Sequence, residues 1–342
     1  MPDFTFPKNK TLVGNSIRTF EFVKYKFRHD PIDPLNPKDN QINIDGTDYY
    51  FTYLDASGRN KGGNSIILKL YASQGIKLSN LQYDEPDRIL KILKYKKAKK
   101  TFLRKKTEKR FAKEIAALIK CKKKKFQNVI SIFESGTCKI YNSKDRIYDE
   151  HLYYTMEYAN SDLKDYVEDN IDLSFKKKIN LCLSLSQGID QLKSLGYYHR
   201  DIKPDNIFIV GETWKIGDLG LLAERDEEEG IDQENDFIGP RGWISPEAMN
   251  KFLCEGNDFK YKHDCKIDHQ SDIYQLGKVF WYILQNNAPV GVFKQQDCNI
   301  KNNNLYTIVR TMLNYSKKRR YNDIAEVISL LKPIENKLQL VS

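Results

Sequence analysis

His199-Arg200-Asp201-Ile202-Lys203-Pro204-Asp205-Asn206, followed twelve residues later by Asp218-Leu219-Gly220, is the stretch on which the reading of this chain turns. Among its side chains are carboxylates, an ammonium and an amide carbonyl, set between short apolar runs. A carboxylate beside an incoming hydroxyl can accept its proton. A second carboxylate with an Asn oxygen makes a hard oxygen site suited to magnesium. A nearby Lys offsets negative charge on a transferring phosphoryl group. A lone Asp in such a setting would be read as a solvated turn residue; the ordered octet with the later Asp-x-Gly is not.

Outward from this stretch, the flanks differ in kind. Downstream, the runs NIFIV and TWKIGDL are strand-like, an acidic loop follows, and from Glu247 to the end the pattern is mostly helical. Upstream, SDLKDYVEDN and SFKKKINLCLSLSQGIDQLKSLG are amphipathic helices, the second closed by Gly196. Before about Asn160 the chain is strand-rich. YYFTYLDAS, SIILKLYAS and DRILKILKY read as strands, the first two joined by the loop GRNKGGN. Shorter strands are expected at Val129–Phe133 and Tyr153–Glu157, and another at Ile17–Phe27. Between them, Thr107–Ile119 has helical spacing with Phe111, Ile115 and Leu118 on one side. Strands first and helices second give an α+β fold in two lobes. The boundaries read as an N-terminal extension 1–47, a small lobe 48–158, a larger lobe 159–336 and a tail 337–342.

Length and composition agree with two lobes. The 342 residues amount to about two domains, and 40% hydrophobic with 12% aromatic residues is too rich for a disordered chain. No window approaches 18 consecutive apolar residues, so no transmembrane segment is expected. The start, MPDFTFPKNK, carries no apolar signal core. Six cysteines without a CxxC pair suggest a reducing, intracellular and soluble setting, with the cytoplasm the simplest. Net charge is +10, unevenly spread: residues 91–125 hold 17 basic residues against Glu108 and Glu114, whereas Glu224–Asp236 holds eight acids against Arg225. The basic stretch is either a solvated surface, a docking site for an acidic partner or lipid surface, or a nucleic-acid site. Thin aromatic interleaving argues against the last. Cys254, His263, Cys265 and His269 are soft-ligand types, but their spacing matches no common zinc pattern.

Across roughly residues 49–333 the chain resembles the eukaryotic-type protein kinases, of the serine/threonine branch. The resemblance implies ATP and magnesium bound between the lobes and transfer of the γ-phosphate to a Ser/Thr hydroxyl of a protein substrate. HRDIKPDN looks like the catalytic loop. There Asp201 would orient the hydroxyl and accept its proton, Lys203 would contact the transferred phosphate, and Asn206 and Asp218 would hold the metal. RILKILK is similar to the strand that carries the phosphate-binding lysine. Lys91 is the first candidate, with Lys94 and then Lys69 behind it, and Glu114 in RFAKEIAAL is its expected partner. TMEYA looks like the interlobe hinge, with Met156 behind the adenine and the Glu157 carbonyl and Ala159 amide on its edge. Asp162 would reach the ribose or simply cap the next helix. Phe208 and Ile89 would pack against the adenine, or else be plain core. Glu247 of Ser-Pro-Glu is expected to pair with Arg320, and Asp272 to brace the catalytic loop.

Several positions depart from the family pattern. Gly58, Gly62 and Gly63 lack the spacing of the usual phosphate-cradling glycine loop. Leu219 stands where Phe is common. Pro240 follows Gly239 where Thr is usual, so a hydroxyl that normally bonds the catalytic Asp and Lys is missing. No Ser, Thr or Tyr lies between Asp218 and Ser245, so control by phosphorylation of that segment is not expected. Its acids would instead pair with Arg200 and the basic helix region, or lie solvated. The alternative readings are a pseudokinase scaffold, which the departures favour, and a small-molecule kinase of related fold. Intact Lys91, Glu114, Asp201, Asn206 and Asp218 argue for catalysis.

Overall fold

The computed structural model describes residues 4–5, 41–54, 65–74, 76, 84–93, 101–142, 147–225, 231–233, 236–256, 263–289, 291, 294–299 and 302–339. The chain forms two compact units. The first comprises residues 1–119 and 131–158, the second residues 120–130 and 159–342.

The first unit is built on a sheet of seven strands: β1 (Phe4–Thr5), β2 (Gln41–Ile44), β3 (Thr47–Tyr53), β4 (Ser65–Ala72), β5 (Arg88–Leu93), β6 (Ile132–Asn142) and β7 (Ile147–Met156). Their order is β1-β6-β7-β5-β4-β3-β2. All pairs are antiparallel except β1 with β6. Alternation drives the inner strands. In SIILKLYA the side chains of Ile66, Leu68 and Leu70 are fully buried, joined by Phe51, Leu90, Ile92 and Tyr153 in one apolar cluster. The strand β2 falls within the stretch read as an irregular extension. It is joined to β3 by Asp45 and Gly46, both at positive φ, the geometry that Asp-Gly hairpins favour. Of the strand expected at Val129–Phe133 only Ile132 and Phe133 fall in β6, while Val129 makes an isolated parallel bridge to Ile216; the strand expected at Tyr153–Glu157 is the end of β7, which closes at Met156. The strand expected at Ile17–Phe27 lies outside the described residues. Helix α1 (Thr101–Lys123) buries Phe111, Ile115 and Leu118 on one side, as their spacing requires.

The second unit begins with the last residues of α1 and is mainly helical. Its helices are α2 (Leu163–Asp169), α3 (Phe175–Ser194), α4 (Pro246–Cys254), α5 (His269–Gln285), α6 (Asn303–Met312) and α7 (Ile324–Gln339). Short strands β8 (Ser161–Asp162), β10 (Ile207–Val210) and β11 (Thr213–Ile216) form one small sheet, and β9 (Tyr197–Tyr198) pairs with β12 (Ala223–Glu224). Helix α5 is the centre of this unit. Asp268 and Ser271 close a capping box at its start, and Asn286 ends it in the left-handed region. Ile273, Leu276, Val279, Phe280 and Ile283 are fully buried. Gly277 lets it approach α6 closely, since a Cβ there would stand 2.8 Å from Met312. The α+β expectation, strands first and helices after, therefore holds.

Candidate functional site

In the first unit, Lys91 sits on β5 and Glu114 on α1. The Lys91 Nζ lies 2.9 Å from Glu114 Oε1, with both side chains nearly inaccessible. Tyr154 on β7 donates its hydroxyl to the same oxygen at 2.9 Å. Its ring lies 5.4 Å from Phe111 and 5.6 Å from the Lys91 ammonium. A buried ammonium is thus held by a carboxylate that a phenol also fixes, which offsets much of the cost of burying charge. Tyr154 was not expected from the sequence, because an aromatic in a strand reads as core. Ile89 and Met156 are cross-strand neighbours in the β5–β7 register. At the end of β7, the Glu157 amide donates to the Ser131 carbonyl, and Ser131 N donates to the Glu157 carboxylate at 2.7 Å. Lys69 lies on β4 opposite Thr52 and Ile89. Lys94, Gly58, Gly62 and Gly63 lie outside the described residues.

In the second unit, residues 199–206 form a loop tied down by many backbone hydrogen bonds. His199 N and Arg200 N each donate to one oxygen of the Asp272 carboxylate, both at 2.8 Å. Asp201 N donates to His199 Nδ1 at 3.2 Å. His199 is fully buried, and its Nε2 meets the Gly217 carbonyl at 3.1 Å. Burial holds its ring at about 4, so it is neutral. Asn206 closes a single 3-10 turn begun by Pro204, and its backbone carbonyl accepts from Gly217 N at 2.9 Å. That bond sets Asp218 beside the loop, with its own backbone at φ 53 and its side chain exposed.

Asp201 is the focus of this loop. Asn206 Nδ2 donates to its Oδ2 at 2.8 Å and to its backbone carbonyl at 2.9 Å. Lys203 Nζ lies 3.8 Å from the same Oδ2. Burial pushes the Asp201 carboxyl up to about 7; Lys203 opposes this and the Asp218 charge adds to it. With its Nδ2 bound to Asp201, Asn206 keeps its amide oxygen as a donor, and Asp218 adds an exposed carboxylate. Two hard oxygens of this kind fit a magnesium ion. Asp162 caps α2 through Asp165 N at 2.9 Å and faces Phe208 across the β8–β10 register. Phe208 packs under Gly217, where an added Cβ would meet its ring at 2.8 Å. Ala159 is half-buried at the start of this unit.

Arg200 is buried, at φ 67, with Nε donating to the Leu221 carbonyl at 2.6 Å and Nη1 paired with Asp232. One of the acids after Asp218 therefore does pair with Arg200; residues 226–230 lie outside the described residues. Glu247 and Arg320 form a buried bidentate pair. The Cys/His cluster is not brought together: His269 accepts from Ile324 N at 3.1 Å, Cys265 contacts the His263 carbonyl, and no group of metal-ligating side chains of these types occurs among the described residues.

A family model described as "Protein kinase domain" matches residues 87–338. Among curated proteins, the chain is similar to "RAF proto-oncogene serine/threonine-protein kinase" of Xenopus laevis, with 30% identity over 35% of this chain and 17% of that protein. It is similar to "Eukaryotic translation initiation factor 2-alpha kinase 3" of Bos taurus, with 25% identity over 45% of this chain and 14% of that protein. It is also similar to a probable serine/threonine-protein kinase of Dictyostelium discoideum, with 31% identity over 40% of this chain and 24% of that protein. The matched stretch thus covers less than a quarter of each relative.

Proposed function

Because the chain belongs to the protein kinase family, we propose that it is an active serine/threonine kinase that transfers the γ-phosphate of ATP to a hydroxyl of a protein substrate, with magnesium as cofactor. The observation that carries this reading is the setting of Asp201: a half-buried carboxylate with Lys203 3.8 Å away on one oxygen and Asn206 bonded to the same oxygen at 2.8 Å.

In this reading Asp201 orients the substrate hydroxyl and accepts its proton as the oxygen attacks the phosphorus in line. Lys203 offsets charge on the phosphoryl group in flight. Lys91, its direction fixed by Glu114, addresses the α- and β-phosphates. Magnesium, held by Asn206 and Asp218, would neutralise phosphate charge when bound. Ile89, Met156, Glu157, Ala159, Asp162 and Phe208 would serve the nucleoside, and the 58–63 glycines its phosphates. Phosphoryl transfer needs little covalent help, so positioning and charge account for most of the work.

The reading extends to control. The segment after Asp218 has no hydroxyl residue before Ser245, and Asp232 already pairs with Arg200. A fixed carboxylate takes the place of an added phosphate. The six cysteines form no disulfide among the described residues, which suits the proposed intracellular, cytoplasmic setting. No helix among the described residues is long and apolar enough to cross a membrane. The basic run at 91–125 is proposed to meet an acidic partner.

The test is radiolabel transfer from ATP to a generic basic protein, comparing wild type with Asp201→Asn and Asp218→Asn. Signal from wild type alone is the expected result. Equal signal from all three would overturn the reading. No transfer, with no thermal stabilisation by magnesium-ATP, would point to a scaffold instead.

A further inference from the structure

Helix α5 presents two polar side chains to the catalytic loop, one turn apart. Asp272 is one. The other is Gln275, 1% exposed in an otherwise apolar stretch. Its Oε1 accepts from Ile202 N at 3.1 Å, and its Nε2 donates to the Arg200 carbonyl at 3.2 Å. These two groups belong to the two peptide planes that flank the Asp201 Cα. The plane before it is also held at its N–H by His199 Nδ1, and the plane after it at its carbonyl by Asn206.

Rotation about the two backbone bonds of Asp201 is therefore blocked from both sides by one amide. The need is real, because the preceding Arg200 stands at φ 67, a strained conformation for a non-glycine residue that persists only where its surroundings enforce it. The closing segment is shaped around the same amide. Gly239 stands at φ 118, and a Cβ there would come within 3.3 Å of both Gln275 Nε2 and the Arg200 carbonyl. Its neighbour is Pro240, which offers neither an N–H nor a side-chain hydroxyl.

We propose that Gln275 is a positioning residue for the reaction: its side-chain amide bridges the Arg200 carbonyl and the Ile202 amide and so sets the aim of the Asp201 carboxylate. It acts through the backbone and touches no substrate. This inference rests on the kinase reading above.

The experiment compares the full chain with Gln275→Met, Gln275→Leu and Gln275→Glu. Methionine and leucine keep the apolar volume and remove both bonds; glutamate keeps an acceptor for Ile202 N. Each variant is measured for kcat, for the KM of ATP, and for thermal stabilisation by magnesium-ATP. Gln275→Met and Gln275→Leu are expected to lose kcat by about 10- to 100-fold, since displaced catalytic groups cost on that order. Their KM for ATP and nucleotide stabilisation should stay within about twofold, with Gln275→Glu intermediate in kcat. A kcat for the folded variants within about twofold of wild type would overturn the inference. So would a Gln275→Glu enzyme that falls as far as Gln275→Met, or losses confined to melting temperature. Should the apolar variants fail to fold, Gln275→Glu alone decides between partial and unchanged kcat. Inactive wild type would instead sink the kinase reading, so the two failures are distinguishable.

Discussion

Arg320 and Glu247 meet fork to fork, Nη1 to Oε2 at 3.1 Å and Nη2 to Oε1 at 2.7 Å, and neither side chain is open to solvent. Every guanidinium nitrogen is engaged. Nε donates to the Asn314 carbonyl, Nη1 also donates to the Gln270 carbonyl and Nη2 to the Tyr315 carbonyl, and the group lies over the Tyr274 ring. Removing the arginine would leave the Glu247 carboxylate charged, buried and short of its main partner. Arg320→Ala is expected to lose about 3–5 kcal/mol of stability, read by denaturant unfolding. Arg320→Lys should recover only part of it, because an ammonium cannot reproduce the planar fork. Equal stability of Arg320→Ala and wild type would refute the account.

The Arg200–Asp232 pair predicts how activity responds to charge changes in the segment after Asp218. Asp232→Asn is expected to lower kcat on the order of tenfold, equivalent to about 1.4 kcal/mol. Phosphatase treatment of wild type should leave the rate unchanged. If phosphatase silences the enzyme while Asp232→Asn does not, control lies with an added phosphate after all.

Stability should fall in mild acid through His269. Its Nε2 accepts from Ile324 N, so the ring is neutral in the fold. Burial lowers its pKa to about 4; Lys193 and Arg225 push the same way, and Asp323 and Asp268 oppose them. The folded value lies below the unfolded value of about 6.5. The stabilisation is therefore complete above pH 6.5 and is lost as pH falls toward 4, by up to roughly 3 kcal/mol. His269→Gln should be weaker than wild type at pH 7.5 yet show a flatter stability curve between pH 6.5 and 4. A parallel curve would remove His269 as the cause.

Thiol chemistry should split the cysteines into two groups. Cys121, Cys138 and Cys182 are buried. Burial pushes the Cys121 thiol up to about 12 and raises that of Cys182 also, so neither offers a thiolate near neutral pH. Native protein treated with an alkylating reagent should be modified only at the half-buried Cys254, Cys265 and Cys298, as peptide mass spectrometry would record. Early labelling of Cys182 would contradict the packing of α3.

The residues 199–206 could be read from the sequence because their chemistry is local. Six polar side chains in fixed order need no knowledge of the fold to be noticed. The alternation of SIILKLYA and the Phe111, Ile115, Leu118 spacing were legible for the same reason. The β2–β3 hairpin carried a usable signal, Asp45-Gly46 between alternating residues, that a polar neighbourhood obscured. Gln275 and Tyr154 had no such signal. Each reads as an ordinary residue of its strand or helix, and its role comes from a partner 73 or 40 positions away. Such contacts exist only once the chain has folded, so periodicity cannot report them. Asp272 lies in the same helix but was reachable, because SDIYQLG resembles a family motif that carries an aspartate at that position, whereas no motif marks Gln275.

The placing of Asp272 and Gln275 on α5 has one more consequence. This helix is the most deeply packed element of its unit, and the loop that bears Asp201 hangs from it rather than from the surface. The geometry of the Asp201 loop is thus inherited from the core. On the kinase reading, the loop has little room to soften while the rest stays intact. On heating, activity and near-ultraviolet signal should be lost together, without the inactive but folded stage that loosely hung loops permit.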